Sequence, residues 1–159
     1  MPATLASAGN DGDYLRGNRL GGTAVSTIVG VDQQRRIEGE ILMSDLIDRY
    51  LATWNETDPT ARRALIAEHW TPKLSYVDPM AEVFGPEALD ATIAAVHKQF
   101  PGFVFTQVGS VDAHHDVARF NWGLGPAGAE PVVIGFDVVV TDAQGRINAV
   151  AGFLDRVPA

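Results

Sequence analysis

The chain reads as an α+β protein, with three N-terminal helices packed on a curved antiparallel sheet and a cone-shaped pocket between the two layers. Three observations predict this. Apolar residues recur at helical spacing in three stretches before about residue 100, runs rich in Val, Phe and Ile follow, and turn chemistry divides those runs into four. Helices followed by a meander of strands segregate to one face of an antiparallel sheet, and the space beneath them is a natural cavity.

The first helix is predicted from about Ile41 to Asn55, where Leu46, Ile47, Tyr50, Leu51 and Trp54 form a stripe. Asp58-Pro59 supplies an N-cap with proline at the first helical position, opening a second helix through Leu65 and Ile66 to about Trp70. Thr71-Pro72 stops it. Leu74 to Asp78 is a short strand, and Pro79 to Gly85 a loop. Gly85-Pro86-Glu87 starts a third helix whose Leu89, Ile93, Val96 and Phe100 share a face, closed by Pro101-Gly102. Four strands complete the chain: Phe103 to Val111, Val117 to Leu124, Pro131 to Thr141 and Arg146 to Val157. Gly125-Pro126-Ala127-Gly128 and Asp142-Ala143-Gln144-Gly145 read as hairpin loops between them.

Residues 1–38 differ from the rest, being rich in Gly, Ser, Asn and Asp with one apolar stretch at Val25 to Val31, and read as a flexible tail ahead of a single domain over residues 39–159. Glu38-Gly39-Glu40 before Met43 also resembles a translated ribosome-binding site, so a natural start at Met43 is a second reading. With 159 residues, 46% of them hydrophobic, the chain has material for one real core. No apolar run is long enough to span a bilayer and no secretory leader is visible, so no membrane association and a cytoplasmic location are expected. The absence of cysteine excludes disulfides, thiolate metal sites and cysteine nucleophiles. The net charge is -8. Residues 1–38 carry four acids and four bases, so the acidic excess lies wholly in the domain, which argues against nucleic acid as a partner.

Three polar residues stand out. Asp78 ends a short strand in front of Pro79, which biases it to extended backbone, and alternation puts Tyr76 on the same side. Asp137 is the one charge in the apolar run Pro131 to Val140. Buried, it would be costly as an ion and would hold its proton; at a bulge near Gly135 it would instead face solvent. Tyr50 lies on the stripe of the first helix and needs a hydrogen-bond partner if buried. Each alone is an ordinary turn, strand or core residue, but all three sit on elements that converge on one pocket. Arg119 and Asn121 alternate with Phe120 and Trp122, so one of these pairs faces that pocket. The histidines do not form a metal site: His69 and His97 lie near helix ends and His114-His115-Asp116 is a turn.

The order of these motifs, with Arg49-Tyr50 in the first helix, Tyr76-Val77-Asp78-Pro79 ending the first strand, Phe84-Gly85-Pro86-Glu87 opening the third helix and Asp137 to Ile147 spanning the last hairpin, resembles the nuclear-transport-factor-two-like superfamily. Within it, the chain is similar to SnoaL-like polyketide cyclases and ketosteroid isomerases over about Ser44 to Leu154. The resemblance implies a cystatin-like α+β barrel. It also implies catalytic roles for Asp78 as a proton-shuttling base and for Tyr50 and a protonated Asp137 as donors to an enolate oxygen, with no metal or organic cofactor. The expected ligand is small, hydrophobic or carbonyl-containing, in a pocket lined by Trp54, Tyr76, Arg119, Asn121 and Val150. An epoxide hydrolase-like enzyme is the lesser alternative: Arg119 and Tyr76 match the limonene epoxide hydrolase pattern, but Asn121 and Gly152 stand where its triad needs acids. The alternative from another class is a domain that binds an apolar ligand without chemistry or serves to dimerise. A homodimer through the sheet is expected, with Phe120, Trp122, Phe136 and Val138 as its candidate surface.

Overall fold

A computed structural model describes residues 21–159. The division between units falls after Arg36, and Ile37–Ala159 forms one compact unit. The helix α1 (Gly21–Asn55) begins well before the predicted Ile41. The stretch read as a tail is thus helical from Gly21, while its first twenty residues lie outside the described ones. Periodicity misses this segment because Gln33-Gln34-Arg35-Arg36 has good helix propensity but no apolar stripe.

In the second unit, Asp58 caps α2 (Pro59–His69), its Oδ2 accepting the Ala61 N–H at 2.8 Å. β1 (Trp70–Val77) follows without a linker and is longer than predicted. The expected loop after Asp78 contains a short strand, β2 (Glu82–Phe84), which folds back on β1. Gly85 adopts a φ of 83°, which favours glycine, and turns the chain into α3 (Pro86–Gln99). Four long strands complete the fold: β3 (Phe103–His114), β4 (Val117–Pro126), β5 (Val133–Thr141) and β6 (Ile147–Arg156).

The protein is α+β: the described residues form three helices and one six-stranded sheet in the order β2-β1-β6-β5-β4-β3. Two details differ from expectation. β1 and β6 run parallel, so the sheet is mixed; β2, α3 and β3 to β5 lie between them in the chain and supply the long connection that a parallel pair needs. The sheet is also open, with β2 and β3 as separate edges, and not a closed barrel. Register shifts in the β1/β6, β3/β4 and β5/β6 pairings mark bulges, which bend and twist strands.

Cross-strand register assigns the two faces. Phe120 lies opposite Asp137 and Trp122 opposite Gly135, whereas Arg119 lies opposite Val138 and Asn121 opposite Phe136. Opposed residues share a face. Phe120 and Trp122 therefore point inward with Asp137, and Phe136 and Val138 point outward with Arg119 and Asn121. The expected exposed set was half wrong, because alternation within each strand leaves the phase between strands open. The α1 rings close over the inner face: Tyr50 meets Phe120 edge-on at 5.3 Å between centroids, and Trp54 meets Tyr76 at 5.2 Å and Phe105 at 5.4 Å.

The end of α1 is fixed at two points. Asn55 pairs with Phe105 as a strand would, its Nδ2 donating to the carbonyl at 2.8 Å and its Oδ1 accepting the N–H at 2.7 Å. His97 Nε2–H donates to the Trp54 carbonyl at 2.6 Å. Trp54 is thereby held from both β3 and α3.

Candidate functional site

A cavity of about 300 Å³ opens between α1, α3 and the inner face of the sheet. Tyr50 and Trp54 enter from α1, Tyr76 from β1, Asp78 from the turn just after β1, Trp122 from β4 and Asp137 from β5. The structure brings Tyr50, Asp78 and Asp137 into this one cavity, together with Trp54 and Tyr76. Its walls are largely apolar, with Val96 and Phe100 from α3 and Val157 beyond β6. None of the lining residues is basic.

Three residues expected in the pocket lie elsewhere. Arg119 is on the outer face, where it forms an ion pair with Asp112 at 2.9 Å. Asn121 donates to the Gly135 carbonyl at 3.1 Å and to Asp155 at 2.9 Å, also on the outer face. Val150 is buried on the inner face but does not line the cavity. The two polar residues went wrong for the reason that split the aromatic set: one strand's alternation does not say which side is inside.

Asp137 is 1% exposed. The register shift at Gly135 places a bulge where one reading put it, yet the acid faces inward. Tyr50 Oη donates to Asp137 Oδ2, while Oδ1 has no partner in the protein. Burial is the main cause that pushes the Asp137 carboxyl up to about 6; the hydrogen bond from Tyr50 and the nearby Trp122 indole oppose it, and the Asp78 charge adds to it. The Tyr50 phenol is pushed well up, by burial first and then by the Asp137 charge, so it acts as a donor. Tyr76 is shifted upward by the same two causes and by its bond to Asp78.

Asp78 is half-buried at the cavity wall. Its Oδ1 accepts the Met80 and Ala81 N–H groups at 2.7 and 2.8 Å, and its Oδ2 accepts the Tyr76 hydroxyl at 2.7 Å. These bonds fix the carboxylate in one orientation, and the Asp78 N–H donates to the Ala81 carbonyl at 2.9 Å to close the turn. Proline after Asp78 and the turn beyond it are the local reasons the acid sits here.

Gly152 stands between the two acids. It is paired with Asp137 across β5 and β6, and Asp78 follows Val77, the partner of Ala151, on the other side. Two strand spacings separate the acids' backbones by roughly 10 Å. A Cβ on Gly152 would meet Asp137 Oδ1 at 2.8 Å and Asp78 Cβ at 3.2 Å, so only glycine leaves the gap open. Sequence reasoning registered Gly152 as a missing acid and overlooked the space it leaves; a glycine inside a strand is the signal for such close approach. Trp122 was placed in the sequence without a side. Its ring lies across Gly135, where a Cβ would fall 2.1 Å from Cζ2.

An open sheet capped by helices encloses an apolar cavity of small-molecule size that carries two carboxylates and two phenols. The family model of the SnoaL-like domain matches residues 47–150, and the chain belongs to that family. A protein of the SnoaL-like family from Agrobacterium tumefaciens, provisionally described as an isomerase, is 37% identical; the match covers 72% of this chain and 98% of that one, with a TM-score of 0.69. A provisionally described polyketide cyclase from Sinorhizobium meliloti is 18% identical over 68% of this chain and 93% of its own, with a TM-score of 0.54. A protein of ketosteroid isomerase-like fold from Catenulispora acidiphila, in complex with trimethylamine, is 18% identical over 67% and 82%, also with a TM-score of 0.54. At those identities the last two share the fold alone. No curated relative matches the chain. Among the described residues no helix is long and apolar enough to cross a membrane, and no group of three or more metal-ligating side chains converges.

Proposed function

We propose that this protein is a cytoplasmic isomerase or cyclase that moves a proton next to a carbonyl, with Asp78 as base and Tyr50 and Asp137 as donors to the developing oxyanion. The observation that carries this reading is the buried Asp137, raised to about 6, paired with a phenol and facing Asp78 across Gly152. Asp78 takes the proton from a carbon next to the carbonyl, and charge passes to the carbonyl oxygen. Asp137, in the protonated form that its raised carboxyl holds below about pH 6, donates to that oxygen. The Tyr50 hydroxyl hydrogen turns from Oδ2 to the same oxygen as charge develops, and Asp78 returns its proton to another carbon. The lack of a cation among the lining residues favours a neutral carbonyl compound over a carboxylate or phosphate ester. A pocket that only binds has no use for a buried acid of raised pKa, and an epoxide-opening site is not supported, since Arg119 and Asn121 lie on the other face.

A thermal-shift screen of ketones, enones and lactones finds ligands, and loss of their α-protons into deuterium oxide reads the chemistry without knowledge of the product. Asp78→Asn is expected to slow this exchange about 10²- to 10⁴-fold while the melting transition stays cooperative. Unchanged exchange overturns the reading.

The outer sheet face supports the further proposal of a homodimer. Phe136 pairs with Phe153, which is 53% exposed, and Val77 lies alongside on β1. Phe153→Lys is expected to convert a dimer to a monomer in sedimentation velocity, and a wild-type protein that sediments as a monomer ends the proposal.

A further inference from the structure

The inner face of the sheet meets the cavity in rungs of paired residues, and the register orders them. Phe120, Asp137 and Gly152 form the first rung, with Asp78 beyond Gly152. Trp122, Gly135 and Leu154 form the second. Phe105, Leu124 and Val133 form the third. Successive rungs lie two residues apart along each strand, so the third is roughly 13 Å from the first.

Polarity falls along this direction. Both carboxyls sit at the first rung. The second carries a single side-chain nitrogen, that of Trp122, and its indole lies toward Asp137. The third rung has no side-chain nitrogen or oxygen, yet Leu124 and Val133 line the cavity, as does Leu154 before them. The helix α3 roofs this end: Phe100 stacks on Phe103 at 5.4 Å between centroids, and Phe103 pairs with Pro126, two residues past Leu124. The polar lining residues of α3 are otherwise engaged, since Thr92 Oγ1 donates to the Ala88 carbonyl at 2.9 Å and Gln99 is exposed. Past β6, Val157 lines the cavity and is exposed, so the apolar end reaches solvent. Met80 is exposed at the Asp78 end, but one side chain on a turn walls no path.

We infer that the cavity is a slot with one polar end, and that its ligand is an elongated ketone with the carbonyl at Asp137 and an apolar chain running past Leu154 to Leu124 and Val133. This rests on the proposed oxyanion role of Tyr50 and Asp137. It narrows the ligand from any small carbonyl compound to one whose apolar part extends in a single direction, with Leu124 and Val133 setting the preference for length.

The test uses butan-2-one, hexan-2-one and octan-2-one on full-length protein carrying ¹³C-labelled Leu, Val and Met methyl groups. Each added methylene is expected to tighten binding about fourfold. Octan-2-one should move the Leu124, Val133 and Leu154 methyl signals, and butan-2-one should leave those of Leu124 and Val133 in place. Val133→Thr keeps the side-chain shape and puts a hydroxyl in the path of the chain, so the ratio of octan-2-one to butan-2-one affinity should fall several-fold. Affinities that do not rise with length, or an octan-2-one that leaves Leu124 and Val133 unmoved and shifts Met80 instead, overturn the slot whatever Asp78→Asn does to exchange. Retained exchange in Asp78→Asn refutes the base and leaves the length dependence standing.

Discussion

Two buried aspartates in this molecule meet opposite fates. Asp90, on α3, is 7% exposed and accepts from Arg62 Nε at 2.6 Å and Arg63 Nε at 2.8 Å. Burial alone would raise its carboxyl, but the two guanidinium bonds and charges win and hold it below the ordinary range. Asp137 has a phenol and an indole beside it and no cation, and burial wins. The Asp90 group ties α2 to α3, with Arg62 also donating to the Glu56 carbonyl at 3.1 Å. A carboxylate built for structure has its charge matched and its oxygens engaged. One left with a raised pKa and a free oxygen beside a cavity carries a destabilising feature that the fold itself does not require.

That contrast can be broken in three ways, taken in order of expected effect. Asp90→Ala leaves Arg62 buried without its partner and should destabilise the fold by about 3–5 kcal/mol, read from urea unfolding. A loss under about 1 kcal/mol would show that the Arg62 charge finds other company. Asp137→Asn should act in the opposite sense. The wild-type carboxyl has a folded pKa near 6, above its unfolded value, so the native state binds more protons between about pH 4 and 6. Its contribution to stability is present below that window and is lost as pH rises through it, by roughly 3 kcal/mol. Asparagine does not titrate, so the variant should gain on the wild type from pH 4 to 7, and parallel stability profiles would contradict the raised carboxyl. Tyr50→Phe has the smallest readout. It removes a bond that favours the Asp137 carboxylate, so ¹³C titration should place that carboxyl above 6, and a downward move would mean that Tyr50 is not its partner.

How much of this was legible in the sequence differs between the elements. The Asp58-Pro59 cap, the Gly85-Pro86 start of α3 and the hairpin turns were readable because each is a local rule satisfied within a few residues. Tyr50, Asp78 and Asp137 were found because a phenol on an apolar stripe, an acid before proline and a charge in an apolar strand each break a local pattern. The Arg62 and Asp90 pair was not found. Arg62 and Asp90 each look like ordinary solvated helix residues, and only the packing of α2 on α3 buries them together.

What the sequence by itself determined is the class of fold, the family resemblance and the three polar residues that do not belong in a core. Tertiary structure decided the rest, because it depends on phase and on distance across strands. The β4/β5 register sent Arg119 and Asn121 outward and Trp122 inward, and the parallel pairing of β1 with β6 set Asp78 beside Gly152. The same pairing, with β5 on the far side of β6, spaced Asp78 and Asp137 across a floor that carries no side chain. A one-residue change of register would put Asp137 in solvent and leave every local pattern in the sequence intact.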